Sequence, residues 1–173
     1  ENDETKVRIT NCKMNFHGAR PEKIYGLEKQ EYKIHDFRGD DPRKWHRNIP
    51  TFGRICYQNL YPKIDLIYHS LGGRLKYEYH LKPGANPDEI KVIYENIRSL
   101  SMDQNGDLIV DTDFGTIRDT HPLCYQTIGH RRVTVPSKLK LMGKNGYGFE
   151  IGAHDPSYPL VIDPLIYSTF LGG

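Results

Sequence analysis

The stretch Arg74-Leu75-Lys76-Tyr77-Glu78-Tyr79-His80-Leu81 alternates without a break. On an extended chain, Leu75, Tyr77, Tyr79 and Leu81 fall on one face and Lys76, Glu78 and His80 on the other. Period-two alternation of this kind marks a strand with one buried face. The preceding run, residues 64–70 (IDLIYHS), is rich in β-branched and aromatic residues, which suit a pleated surface. Gly72-Gly73 separates the two runs, so they read as a hairpin. Pairing outward from that turn sets Ser70 against Leu75 or Lys76, which leaves His69 and His80 without direct contact.

The same grammar continues outward. Residues 90–94 (IKVIY) and 138–141 (KLKL) have strand character, and Asn105-Gly106 and Asn145-Gly146 carry the type I′ hairpin signature. Many of the twelve tyrosines sit in such runs, where a ring can be buried while its hydroxyl finds a partner. No stretch of 12 or more residues keeps a helical apolar period. One short helical turn is expected near residues 41–47, with Asp41 as cap and Pro42 in the first helical position. The expectation is an all-β protein of about 12 strands, an antiparallel β-sandwich or two small sheets packed in series.

Composition narrows the function classes. The charge balance is 24 − 22 = +2, so no global field recruits nucleic acid. No apolar run approaches the ~20 residues of a membrane helix, and no secretory leader opens the chain. Cys12, Cys56 and Cys124 form no CxxC, which disfavours zinc ribbons and thioredoxin-like chemistry. An odd count permits at most one internal disulfide, with the pairing open. Export would allow one.

Catalytic patterns are missing. There is no GxSxG elbow, HExxH or HxH. The segment Asp103-Gln104-Asn105-Gly106-Asp107 imitates the start of a calcium loop, but Phe114 occupies the twelfth position, where an acid is required. A hairpin turn is the simpler reading, with Asp111 and Asp113 as a weak surface cation site. No catalytic residue, metal or cofactor is expected.

Two basic stretches remain. Residues 130–144 hold Arg131, Arg132, Lys138, Lys140 and Lys144 with no acid. Residues 38–54 hold five basic side chains, two acids and the single tryptophan, Trp45. Trp45, Arg131 and Arg132 are therefore the candidate ligand-binding residues, for a glycan or polyanion. Their structural alternative is a solvated strand face and a tryptophan anchored in the core.

Several blocks carry a family resemblance. They are Gly39-Asp40-Asp41-Pro42-Arg43-Lys44-Trp45, residues 48–54 (NIPTFGR) and residues 60–68 (LYPKIDLIY). Then follow Leu75-Lys76-Tyr77-Glu78-Tyr79, residues 82–87 (KPGANP), residues 155–164 (DPSYPLVIDP) and residues 167–173 (YSTFLGG). In this order they resemble the β-rich, DUF7948-like domain that precedes SBBP-type β-propeller repeats in secreted and cell-surface bacterial and archaeal proteins. The resemblance implies a sandwich module over residues 1–165, with residues 166–173 opening a first propeller repeat and more chain following. It implies a non-catalytic, secreted or surface module that presents the propeller. Its partners would be its own downstream propeller or another extracellular protein, with no nucleic acid and no membrane insertion. The alternatives are a glycan- or polyanion-binding module and a strand-donating subunit of an extracellular assembly.

Overall fold

The computed structural model describes residues 11–71, 74–113, 115–164 and 166–167. In chain order the strands are β1 Lys13–Phe16, β2 Lys23–Asp36, β3 His46–Tyr61, β4 Ile64–Leu71, β5 Arg74–Leu81, β6 Val92–Glu95, β7 Ser99–Met102 and β8 Leu108–Thr112. They continue as β9 Gly115–Asp119, β10 Leu123–Ile128, β11 Arg131–Thr134, β12 Ser137–Met142, β13 Gly146–Ile151, β14 Leu160–Asp163 and β15 Ile166–Tyr167. The described residues thus hold fifteen strands, against the twelve or so expected. The extra ones are short pieces such as β11 and β15, too brief for alternation to register.

The strands form three antiparallel sheets. A seven-stranded sheet runs β11-β10-β14-β5-β4-β3-β2, and two four-stranded sheets run β1-β6-β13-β12 and β15-β9-β8-β7. The alternation of β5 explains the layering. Tyr77, Tyr79 and Leu81 turn inward with Ile64 and Leu66 of β4 and Leu160 and Ile162 of β14, all 3% exposed or less. Val92, Tyr147 and Phe149 of one small sheet and Leu108 and Val110 of the other join the same cluster. The two small sheets therefore cover one face of the large one, and the molecule is an antiparallel β-sandwich with one continuous core. Rings fill its centre edge to face: Tyr77–Tyr79 at 5.7 Å, Tyr79–Phe149 at 5.6 Å and Tyr147–Phe149 at 5.9 Å.

The hairpin that opened the sequence reading is present. β4 and β5 pair from Ile64↔Leu81 to Leu71↔Arg74, with Ser70 opposite Leu75. Its turn residues, Gly72 and Gly73, lie outside the described residues. Asp41 caps a single 3₁₀ turn, Pro42–Lys44, accepting from the Arg43 backbone N–H at 3.1 Å.

The two Asn-Gly signatures are corrected. At residues 103–107 only Gly106 is left-handed, at φ +82°, so no type I′ turn forms. The Asp103 carboxylate accepts from the backbone N–H of Asn105 and of Asp107 at 2.8 and 3.0 Å, which selects a wider loop. At the second site the left-handed glycine is Gly143, at φ +65°, and Gly146 is already the first residue of β13. There a Cβ would sit 2.8 Å from the Met142 carbonyl oxygen, so glycine serves close approach and not turning. Asn145 instead fastens the turn to β6, its side-chain amide donating to the Tyr94 carbonyl at 2.6 Å.

The longest elements form an arm. Among the described residues β3 pairs with β4 only between Arg54 and Tyr61, so residues 46–53 have β2 as their ladder partner and nothing beyond it. At ~3.3 Å per residue, the 14 residues of β2 reach about 46 Å. Near the root of the arm, the Phe52 ring occupies the space that a side chain on Gly26 would need. Toward the tip, Tyr32, Ile34 and Phe37 are more than half exposed.

Candidate functional site

Trp45 lies at the tip of this arm. Among the described residues it belongs neither to the core nor to the side chains packed on the core, which corrects the expectation of a core anchor. The arm carries it away from the sandwich. Its indole N–H donates to the Gly39 carbonyl at 2.9 Å, and its ring meets Phe37 edge-on at 5.3 Å. His35 stacks on Phe37 at 5.7 Å, and the Arg47 guanidinium lies 5.4 Å from the Phe37 ring centre. The result is a small satellite cluster of aromatic rings and one cation.

Arg131 and Arg132 sit on β11, whose four side chains are all exposed. β11 is one edge of the seven-stranded sheet and the arm strand β2 is the other. Six strand spacings of ~4.8 Å, about 29 Å, separate those edges. The structure therefore does not bring Trp45 together with Arg131 and Arg132 in one small-ligand site. Arg132 is already engaged, its guanidinium 4.4 Å from the Tyr125 ring centre.

The remaining sequence candidates resolve into structural roles. The acids of the calcium-like loop face a cation of the protein itself, with Arg118 reaching Asp103 at 2.8 Å and Asp107 at 3.0 Å. Asp111 accepts from Thr116 at 2.8 Å, and Asp113 pairs with Arg98 at 2.7 Å. His69 and His80 do not pair with each other. Both approach Glu78, at 3.9 and 3.0 Å, on the outward face of β4 and β5. The His80 hydrogen bond holds the Glu78 carboxyl below its usual range. Cys12, Cys56 and Cys124 are all free thiols, the last two buried.

Two features escaped the sequence reading. The first is internal. Asp119, at the end of β9, is 1% exposed, and burial pushes its carboxyl up to about 7. One of its oxygens accepts from the Tyr77 hydroxyl at 3.2 Å, and Tyr77 in turn shares a 2.9 Å hydrogen bond with Tyr147. Among the described residues the other oxygen has no hydrogen-bond partner, and neither does the Tyr79 hydroxyl nearby in the same core. The polar segment Ile117-Arg118-Asp119-Thr120-His121 gives no sign that its aspartate is buried.

The second is a groove of about 580 Å³ beside the β3–β4 turn. Leu60, Tyr61 and Pro62 line it together with Arg20, Lys63 and Lys82. Two residues there hold left-handed backbone without being glycine, Asn59 at φ +46° and Lys63 at φ +63°. Asn59 is held by its neighbours: its N–H donates to Asp65 at 2.7 Å and its side-chain amide to Glu22 at 2.8 Å. Lys82 donates to Asp65 at 3.2 Å and to the Asn59 side-chain carbonyl at 2.8 Å. Among the described residues, Arg20 and Lys63 have no ion pair and no side-chain hydrogen bond. Arg20 and Lys63 carry no motif, so only the fold reveals that they line one groove, together with Glu22.

The family model of a domain of unknown function, DUF7948, matches residues 1–165. No curated protein and no solved structure matches the chain.

Proposed function

The chain belongs to the DUF7948 family, and from that membership and the form of the β2–β3 arm we propose that it is a non-catalytic structural and interaction module. It acts outside the cell, secreted or at the cell surface, where it precedes and presents a β-propeller. The arm is the observation that carries this reading. A two-stranded ribbon is marginal on its own in water, and this one exposes Tyr32, Ile34 and Phe37 beyond the shelter of the sandwich. Such an element gains stability when a second body packs on it. The resemblance supplies that body, since the tail text Tyr167-Ser168-Thr169-Phe170-Leu171-Gly172-Gly173 is similar to the opening of a propeller repeat. Of that tail, Ile166–Tyr167 pairs with β9, and residues 168–173 lie outside the described residues.

Hydrogen exchange on the domain, alone and joined to the sequence that follows it in its native protein, tests the reading. Amides of residues 28–53 are expected to exchange more slowly in the longer chain. Equal exchange in both forms removes the arm from the contact. A hydrolase or transferase activity abolished by one substitution defeats the non-catalytic assignment. A second reading, recognition of a glycan or polyanion, draws support from the two unpaired cations of the groove.

A further inference from the structure

We propose that Lys76 and Asp163 are the two halves of an intramolecular isopeptide bond, which the folded chain forms by itself between the lysine Nζ and the aspartate Cγ. The bond ties β5 to β14 on the outward face of the large sheet. It is a modification site, independent of the arm and of the groove.

The strand register brings the pair together. β14 lies beside β5 with Val161↔His80 and Ile162↔Tyr79. One step further sets Asp163 level with Glu78 and diagonal to Lys76, a separation that a lysine side chain spans. The Lys76 and Asp163 side chains are only 15% and 14% exposed, on the face that the two small sheets leave uncovered.

The contact is closer to a reaction geometry than to a simple ion pair. The Lys76 amine reaches both oxygens of Asp163, at 2.9 Å each. A nitrogen held equally near to both oxygens stands within ~3–3.5 Å of the carbon between them, the separation from which a bond can form. The two oxygens differ. Oδ2 accepts an aligned hydrogen bond, whereas Oδ1 is out of line, sealed from solvent and, among the described residues, without a hydrogen-bond partner. A salt bridge leaves that buried oxygen unsatisfied. An amide removes it, because one oxygen departs when the bond forms.

The step balances within the pair. The lysine ammonium carries three protons and the carboxylate none. One proton leaves nitrogen, and the freed electron pair attacks Cγ to make the C–N bond. The Cγ–Oδ1 bond then breaks, and Oδ1 departs as water with two of the three protons. The third stays on the amide nitrogen, and Oδ2 becomes the carbonyl oxygen. No oxidant, metal or co-substrate enters. Glu78 is placed to relay the protons: it is level with Asp163, within electrostatic reach of Lys76, and held by His69 and His80 at 3.9 and 3.0 Å. Tyr125 of β10 lies within electrostatic reach of Lys76, Glu78 and Asp163. The fold supplies the effective concentration that condensation in water lacks, and burial keeps hydrolysis back.

Intact mass of the whole chain, denatured and fully reduced after prolonged incubation in the folded state, reads the bond directly. The expected mass is one water, about 18 Da, below that of the sequence, and Lys76→Arg is expected at its full mass. Peptide mapping should place the loss on a branched peptide that joins residues 76 and 163. Asp163→Asn makes ammonia the leaving group, so its expected loss is about 17 Da instead. Glu78→Gln is expected to keep its full mass, with a parent-like circular dichroism spectrum showing that it folds. A loss that persists in Glu78→Gln overturns the relay. A parent chain at full mass overturns the bond, and so does a loss of water that survives in Lys76→Arg.

Discussion

Tyr77 and Asp119 meet at 3.2 Å in the centre of the core, where a strand of the large sheet faces a strand of a small one. Among the described residues that contact is the single hydrogen bond of a carboxyl that burial has pushed from its ordinary 3.8 to about 7. The folded protein therefore holds a proton that the unfolded chain gives up near pH 4. Between those two values folding takes up a proton, so stability is greatest at the acid end of the window and falls as pH rises. The whole fall is about 4 kcal/mol at ~1.36 kcal/mol per pH step. Urea unfolding at pH 5 and pH 8 should show the parent weaker at pH 8. Asp119→Asn, neutral at both, should show a much smaller difference.

Tyr77→Phe isolates the hydrogen bond. The Tyr77 hydroxyl favours the ionised form of Asp119, so its loss should move the pH midpoint of the stability change upward. It also leaves one Asp119 carboxyl oxygen and the Tyr147 hydroxyl without this partner, at a cost of about 1–3 kcal/mol. A midpoint that moved downward, read from the same unfolding series, would count against this account.

Gly146→Ala should destabilise more than Gly143→Ala, although only Gly143 has positive φ. A Cβ at Gly146 meets the Met142 carbonyl oxygen at 2.8 Å and the Val92 carbonyl oxygen at 3.3 Å, both backbone atoms with little freedom to yield. Nothing lies within 4 Å of a Cβ at Gly143, where the cost is the left-handed strain alone, about 1–2 kcal/mol. The expected loss at Gly146 is about 2–4 kcal/mol, measurable by thermal melting of the two variants side by side.

Thiol labelling should divide the cysteines. Cys12 is half-buried, and Cys56 and Cys124 are 3% and 1% exposed. Burial pushes the Cys124 thiol up to about 12, so the reactive thiolate is scarce at neutral pH. Iodoacetamide at pH 8, followed by peptide mass analysis, should modify Cys12 first, with Cys56 and Cys124 reacting only as the chain unfolds.

What the sequence revealed was local. Residues 77–81 alternate because one face of that part of β5 is core and the other is not, whereas Leu75, expected on the buried face, is 59% exposed. Asp41-Pro42 announced its turn because cap and proline act within three residues. The Asn-Gly signatures misled where a third group intervened, a carboxylate at Asp103 and a backbone contact at Gly146. Trp45 misled for the opposite reason. Tryptophan is usually buried, and only a ribbon that leaves the sandwich could place it at a tip. Asp119, Arg20 and Lys63 were illegible, because burial of one and convergence of the others depend on strands distant in sequence. The same distance separates Trp45 from Arg131 and Arg132 across a whole sheet.

The arm also gives the molecule a mechanical direction. A pull along its axis loads the β3–β4 ladder in shear, with the bonds between Arg54 and Tyr61 sharing the force. A sideways pull on β2, the free edge, opens its bonds to β3 one after another, like a zip. A tether fixed to the tip would hold firmly against lengthwise tension and release under a peeling one. Force spectroscopy along the two directions should therefore record two different rupture forces from the same domain.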